Sequence, residues 1–338
     1  MRAVRFVVPE GIDDPLRVSG GNVYDRRVRD GLRRRGWQVE MHEAADGAAV
    51  AEAVGHAGGT VLVDGLAAGW AAHALDAAAD RIRLVVLAHM IAAAFPGADA
   101  ATVDAERRSI RAAHRVVATS RWTAGELVTR GLADHARITV AAPGTGSVAQ
   151  GPDAGAAEPG DARRLLCVGV VAPHKGQDLL LEALAGLAER DWTCTLVGSA
   201  LTSPAFAAGI ARQSTAFAGR VRMPGVLGDA ALADEYRRSG VLVAPSRVES
   251  AGMAIADARA RGIPVIGTAV GGIPDTVARG GAILVPPDDP VALAAALRAW
   301  LTDPVLRARL RGEARAAAET APHWDDTIAV IERALVTA

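Results

Sequence analysis

Lysine is almost missing from this 338-residue chain: of 37 basic residues, 36 are arginine and one, Lys175, is lysine. Cysteine occurs twice, aromatic residues make up 4%, and neither sign of charge is in excess, with 37 Lys+Arg against 38 Asp+Glu. Each scarcity excludes something. A near-neutral chain lacks the basic surplus that a general nucleic-acid binder needs to neutralise phosphates. Two cysteines cannot form a disulfide scaffold; Cys167 and Cys194 sit in the apolar runs LLCVG and TCTLVG, as buried free thiols of a reducing compartment would. The longest apolar stretch, LVVLAHMIAAAF, is interrupted by His89 and falls short of a membrane span. The opening MRAVRFVVPEG has too short an apolar run for a signal peptide, so a soluble, cytoplasmic protein is expected. No His/Cys/Asp group has metal-ligand spacing, and neither a G-x-S-x-G elbow nor a Walker A loop occurs; no resident metal or cofactor is expected.

What is present is a globular composition, half hydrophobic and 22% charged, at a length that suggests two domains. Short apolar runs alternate with Ala/Leu/Arg-rich segments. Strands are expected at 4–8, 38–42, 61–63, 84–87, 116–119 and 138–141, with helices such as 23–35, 104–113 and 123–130 between them. Residues 144–161, GTGSVAQGPDAGAAEPGD, have no periodicity and read as a linker. The alternation then resumes, with strands at 165–168, 193–197, 241–244, 264–267 and 283–285. Helices such as 178–189, 231–238 and 291–301 separate them. Continuous apolar strands alternating with helices indicate α/β domains with doubly wound parallel sheets, whose ligands bind at the carboxyl ends of the strands.

Two segments carry candidate chemistry. In LLCVGVVAPHKGQDLLLEAL, residues 165–184, a strand leads through a loop holding Lys175 into a helix near Gln177. A cation beside free helix N–H groups suits a diphosphate; the alternative is a solvated lysine. A lone ammonium in a chain that otherwise uses guanidinium favours the first, because the two groups are not equivalent at a crowded phosphate. In VLVAPSRVESAGMAIADARARGIPVIGTAVGGIPD, residues 241–275, Glu249 precedes a helix starting near Gly252, and Asp257 follows two turns in. Small residues at 250–252 would admit a ligand to the helix start. Glu249 could reach sugar hydroxyls and Asp257 a vicinal diol. Equally, Glu249 could cap the helix and Asp257 lie on a solvated face.

Other features carry less. Gly20 and Gly21 follow the first strand and could sit near a phosphate, or form a plain loop. His89 lies at the end of a strand, either on a ligand-facing side or in the core. The arginine-rich segment from Arg26 to Arg35 reads as a solvated helix face, with an anionic lipid surface as the second reading.

With these residues in view, the chain resembles the retaining, nucleotide-sugar-dependent glycosyltransferases of family 4. The resemblance runs through SGGNVY, VGVVAPHKGQD, PSRVESAGMAIADA, GIPVIGTAVGGIPD and the late WDDTIAVIERAL helix. It implies the GT-B fold: two Rossmann-like doubly wound domains facing a central cleft. Residues 1–150 would form the acceptor domain, 161–320 the donor domain, and 321–338 a helix packing back on the first. It further implies that Lys175 holds the donor diphosphate, Glu249 the sugar hydroxyls, and Asp257 the ribose. The backbone of Ser250, Ala251, Gly252 and Met253 would meet sugar and diphosphate, and Val226 the base. Gly20 and Gly21 would approach the diphosphate, and His89 the transferred sugar.

Three positions depart from the family pattern. Val170 stands where an arginine is usual, and Arg247 is the candidate to replace that charge. Asp257 stands for a glutamate, and Ala251 for a bulkier residue. The implied reaction is metal-independent transfer with retention by front-face attack. Glu249, Lys175 and His89 would be the catalytic residues, with a nucleotide-sugar donor and a small-molecule or lipid-linked acceptor. The alternatives are an epimerase or non-glycosidic coupling enzyme on the same fold, or a catalytically silent nucleotide-sugar-binding protein.

Overall fold

The structure, a computed structural model, describes residues 2–95, 97–145 and 160–337. The chain divides into two compact units. Unit 1 holds the residues up to Asp14, Gly20–Gly144 and those from Pro322 onward; unit 2 holds Pro15–Ser19 and Thr145–Ala321. Most of the expected linker, 146–159, lies outside the described residues.

In unit 1 the strands are β1 (Ala3–Pro9), β2 (Gln38–Ala44), β3 (Gly59–Asp64), β4 (Ile82–Ala88), β5 (Arg115–Ala118) and β6 (Ile138–Val140). They form one parallel sheet in the order β2-β1-β3-β4-β5-β6. The central strands are apolar on both faces because helices cover both: Leu84, Val85, Val86 and Leu87 of β4 are all fully buried. Edge strand β2, QVEMHEA, mixes buried and exposed positions, as a strand with one free side does. The helices are α1 (Gly20–Arg34), α2 (Gly47–Gly55), α3 (Gly65–Trp70), α4 (Ala72–Ala78), α5 (Ala100–Ala112) and α6 (Arg121–Thr129). Asp46, Asp64, Asp99 and Ser120 cap α2, α3, α5 and α6 by accepting from first-turn N–H groups.

In unit 2 the strands are β7 (Asp161–Val168), β8 (Thr193–Val197), β9 (Val221–Gly225), β10 (Ser239–Ala244), β11 (Val265–Thr268) and β12 (Ala282–Val285). The order is β12-β11-β10-β7-β8-β9, again all parallel. The helices are α7 (Gln177–Ala185), α8 (Pro204–Ser214), α9 (Asp229–Arg238), α10 (Met253–Ala260), α11 (Ile273–Thr276), α12 (Pro290–Thr302) and α13 (Pro304–Ala318). Strand β9, VRMPG, is absent from the sequence expectation because an arginine and Pro224 break its apolar run. Its place at the sheet edge explains the tolerance, since an edge strand need not donate on both sides.

The last helix, α14 (Trp324–Thr337), belongs to unit 1. It lies against α1, where Gly31 leaves room for Ile328: a β-carbon there would stand 2.5 Å from Ile328 Cγ1. Glu332 of α14 accepts from Arg2 Nη1 at 2.7 Å, Arg35 Nε at 2.7 Å and Trp37 Nε1 at 3.1 Å.

In each sheet the chain winds outward in both directions from a central strand. The neighbours are β1 and β3 in unit 1, and β7 and β10 in unit 2. Outside the carboxyl ends of such a pair the connecting loops diverge and leave a crevice. That topology decides which residues meet.

Candidate functional site

In unit 2, the crevice brings together the loop after β7 and the loop after β10, so residues 74 positions apart in sequence touch. Lys175 Nζ donates to Glu249 Oε2 at 2.6 Å. The other oxygen of Glu249 accepts from the N–H of Gly252 at 3.2 Å. Burial opposes the charge on Glu249, but Lys175 beside it outweighs that and holds the carboxyl below its usual range.

Backbone fixes both loops. Gly176 adopts φ +68 and caps α7; a β-carbon there would lie 2.0 Å from the carbonyl oxygen of Pro245, so only glycine lets the two loops approach. The carbonyl of His174 accepts from the N–H of Arg247 at 2.8 Å and of Val248 at 3.3 Å. Burial, and then Lys175, push the His174 imidazole down to about 4, so it is neutral at pH 7. On the far side, the glycine pair of the AVGGIPD segment comes in: Gly271 (φ +55) has no β-carbon to strike the Glu249 carbonyl, and Gly272 N–H donates to that carbonyl at 2.9 Å. Helices α7 and α10 begin just after Gly176 and Gly252, and as glycines neither N-cap residue offers a side chain to the first-turn N–H groups. A cation beside two such helix starts suits an anion.

Ser250 is buried, Ala251 accepts at its carbonyl from Thr276 Oγ1 at 3.2 Å, and Met253 opens α10. Val226 follows β9 and is half-buried. Asp257 is not on the apolar face of α10. Ile255 and Ala258 are buried, whereas the Asp257 side chain is 40% exposed and lies 3.8 Å from Arg261, one turn on. Arg247, expected to replace the charge missing at Val170, is committed elsewhere. It grips Asp178 with Nη1 and Nη2 at 2.9 Å each, Asp288 with Nε at 2.6 Å, and the Pro173 carbonyl at 2.7 Å. Its positive charge is offset by two carboxylates. Val170 contributes only its carbonyl, which accepts from the buried Gln177 at 2.9 Å.

In unit 1, Gly20 and Gly21 form the first turn of α1 and not a loop before it. First-turn N–H groups lack intrahelical partners in any helix, so glycine costs little there. His89 stands just beyond β4, at the crevice between β1 and β3, and meets two acids that the sequence reading did not single out. Its Nε2 lies 2.8 Å from Asp25 Oδ1 and 3.3 Å from Asp64 Oδ2. Three groups of a metal-holding type thus gather within 4.8 Å, at positions too scattered to show as sequence spacing. One imidazole N–H shared by two carboxylates accounts for the gathering. Asp25 had a legible sign: with Val28 and Leu32 it lies on the buried stripe of α1, where an acid is out of place.

Comparison with known proteins identifies the family. Residues 162–303 match the family described as Glycosyl transferases group 1. The chain belongs to the group 1 glycosyltransferases. It is 36% identical over 245 residues to a D-inositol 3-phosphate glycosyltransferase of Streptomyces avermitilis, covering 67% of this chain and 52% of that one. A protein of the same description from Kineococcus radiotolerans is 34% identical over 241 residues, 64% of this chain and 55% of its own. The chain thus spans about half the length of the curated relatives it matches. In fold it is similar to the sucrose-phosphate synthase of Thermosynechococcus elongatus, with a TM-score of 0.81 and 22% identity, covering 100% of this chain and 99% of that chain. It is also similar to Anabaena HepE in complex with UDP-glucose, with a TM-score of 0.77, 19% identity and 100% of each chain covered. The fold of this group 1 member is GT-B, with two parallel six-stranded Rossmann-like sheets. No helix among the described residues is long and apolar enough to cross a membrane.

Proposed function

We propose that the protein transfers a sugar from a nucleotide-diphosphate donor to an acceptor hydroxyl with retention of configuration. The observation that supports this most is the Lys175–Glu249 pair at the starts of α7 and α10. Lys175 and the helix N–H groups would stabilise the leaving diphosphate where negative charge develops. Glu249, carrying its own negative charge, would turn from Lys175 toward the sugar hydroxyls. The backbone from Ser250 to Met253 would hold the sugar and diphosphate. Asp257 would take the ribose and Val226 the base. Gly20 and Gly21 would approach the diphosphate and His89 the transferred sugar, as the family resemblance implies. Arg247 is a brace in this reading, tying the loop after β10 to α7 through Asp178.

In the reaction the anomeric carbon–phosphate oxygen bond breaks and the acceptor oxygen bonds to the same face of that carbon. The acceptor proton passes to the departing diphosphate. Since Lys175 and the helix starts supply the positive charge, activity should survive a chelator. The free buried thiols Cys167 and Cys194 support a cytoplasmic location.

Relatives named D-inositol 3-phosphate glycosyltransferases make phosphorylated inositols the first acceptors to try, and a lipid-linked acceptor the second. Unfolding temperature against UDP-, GDP-, ADP- and TDP-sugars identifies the donor, because a ligand bound only to the folded state raises it. Mass analysis of donor–acceptor mixtures then reads transfer. Binding without product would favour the silent binding protein, and a changed donor without transfer the epimerase. Near-normal transfer by Glu249→Ala would remove the site assignment.

A further inference from the structure

The cluster at the end of β4 is more than a buried ion pair. Asp25 and Asp64 are 1% and 4% exposed, and both direct an oxygen at the same ring nitrogen of His89. Two acceptors on one nitrogen require that Nε2 carry the proton, which leaves Nδ1 as the atom without a protein partner among the described residues. The carboxylates are themselves held in place. Oδ1 of Asp64 accepts from the N–H groups of Leu66 at 2.8 Å and Ala67 at 3.1 Å, capping α3, so only Oδ2 turns to the histidine. Asp25 rides on α1. The ring's edge-to-face neighbour, 5.1 Å away, is Tyr24, whose hydroxyl is spent on the Ala141 carbonyl at 2.6 Å and whose other side meets Trp324 of α14. Just beyond β5, Thr119 Oγ1 donates to the His89 carbonyl at 3.2 Å. The imidazole therefore has little freedom to flip.

We propose that Asp25 and Asp64 are positioning residues that hold His89 as an imidazolium, with Nε2–H turned inward and Nδ1–H presented as a hydrogen-bond donor to an oxygen of the transferred sugar. This rests on the sugar transfer proposed above. The electrostatics run the same way. Burial pushes the His89 proton off, yet the two acids beside it outweigh burial and raise the group above its ordinary range. Burial and then Asp25 push the Asp64 carboxyl up to about 6. The titratable groups facing the ring are Asp25 and Tyr24 from α1 and Asp64 from the end of β3. Burial raises the Tyr24 phenol, so it stays neutral. In this role His89 is a donor and not a base, so activity should fall as pH rises through its raised value.

The variants Asp25→Asn and Asp64→Asn keep an acceptor for Nε2–H but remove one charge, while Asp25→Ala removes both. The expected outcome is an alkaline limb of kcat/KM displaced by about one pH unit to lower pH in each Asn variant. Asp25→Ala should lower kcat about tenfold further, with acceptor KM unchanged. Long-range 1H–15N spectra, with His89 assigned by its loss in His89→Gln, give a second reading that needs neither donor nor turnover. Wild-type His89 should be doubly protonated at pH 7 and the Asp25→Asn ring neutral. A neutral wild-type His89 in those spectra, or transfer whose pH profile is identical in wild type and both Asn variants, overturns the inference. A doubly protonated His89 in a protein that transfers no sugar would instead overturn the transferase reading and the sugar as ligand, leaving the hold on the ring established.

Discussion

Lys175 Nζ and Glu249 Oε2 stand 2.6 Å apart at the meeting of two loops that follow neighbouring strands. Lys175 is the countercharge of Glu249 until a ligand arrives, so its removal should show in the titration of Glu249. With Lys175→Met, the cation that outweighs burial at Glu249 is gone and its carboxyl pKa rises. A depressed carboxyl pKa adds stability above the unfolded value, and this is lost as pH falls through the folded one. The acid limb of the stability curve should therefore move to higher pH in Lys175→Met. Unfolding midpoints from pH 3 to 7 read it directly.

Arg247 and Asp178 should behave as one unit. If the guanidinium braces the loops, Arg247→Ala and Asp178→Ala each raise donor KM about fivefold, and the double variant does little worse, because neighbours in one network are not additive. A direct phosphate contact by Arg247 gives a different pattern: Asp178→Ala then frees the cation and donor binding holds or tightens. The four-variant cycle of donor KM separates the two.

His174 sets a second pH window. Its imidazole is depressed to about 4, so between roughly 6.5 and 4 the unfolded chain binds a proton that the folded one refuses. Stability should fall as pH drops through that interval, by an amount on the order of 2 kcal/mol. His174→Gln should flatten this part of the curve while leaving the pH 7 value within about 1 kcal/mol. Denaturant melts at pH 4.5 and 7 check it.

Glu332 fastens α14 to Arg2, just before β1, and to Arg35 and Trp37, between α1 and β2. Glu332→Ala should cost about 1–2 kcal/mol, mostly because the Trp37 N–H and two guanidinium groups lose a shared acceptor. Hydrogen exchange should quicken in 324–337 ahead of the rest of unit 1.

The doubly wound sheets were legible because their central strands, such as LVVL of β4 and LLCV of β7, are apolar without interruption, which only a sheet covered on both faces requires. Strand β9 was not, since Pro224 and Arg222 sit at an edge that tolerates them. Lys175 and Glu249 were legible one by one, from their places beside helix starts. Their contact was not, because it depends on β7 and β10 being neighbours. Asp25 and Asp64 escaped for the same reason: the fold, not sequence spacing, brings them to His89. Asp257 could be placed on neither face from the sequence, because one residue of rotation, about 100° on a helix, separates buried Ala258 from the half-exposed Asp257.

The most direct test is the affinity for the nucleoside diphosphate of whichever sugar donor stabilises the wild type, measured by titration calorimetry on wild type and Lys175→Arg. Arginine keeps the charge but is longer, and its planar fork would engage both oxygens of Glu249 in place of a single phosphate-directed ammonium. The account predicts affinity weakened about tenfold or more, about 1.4 kcal/mol, with an unchanged unfolding temperature in the absence of ligand. Equal affinity in the two proteins would contradict it.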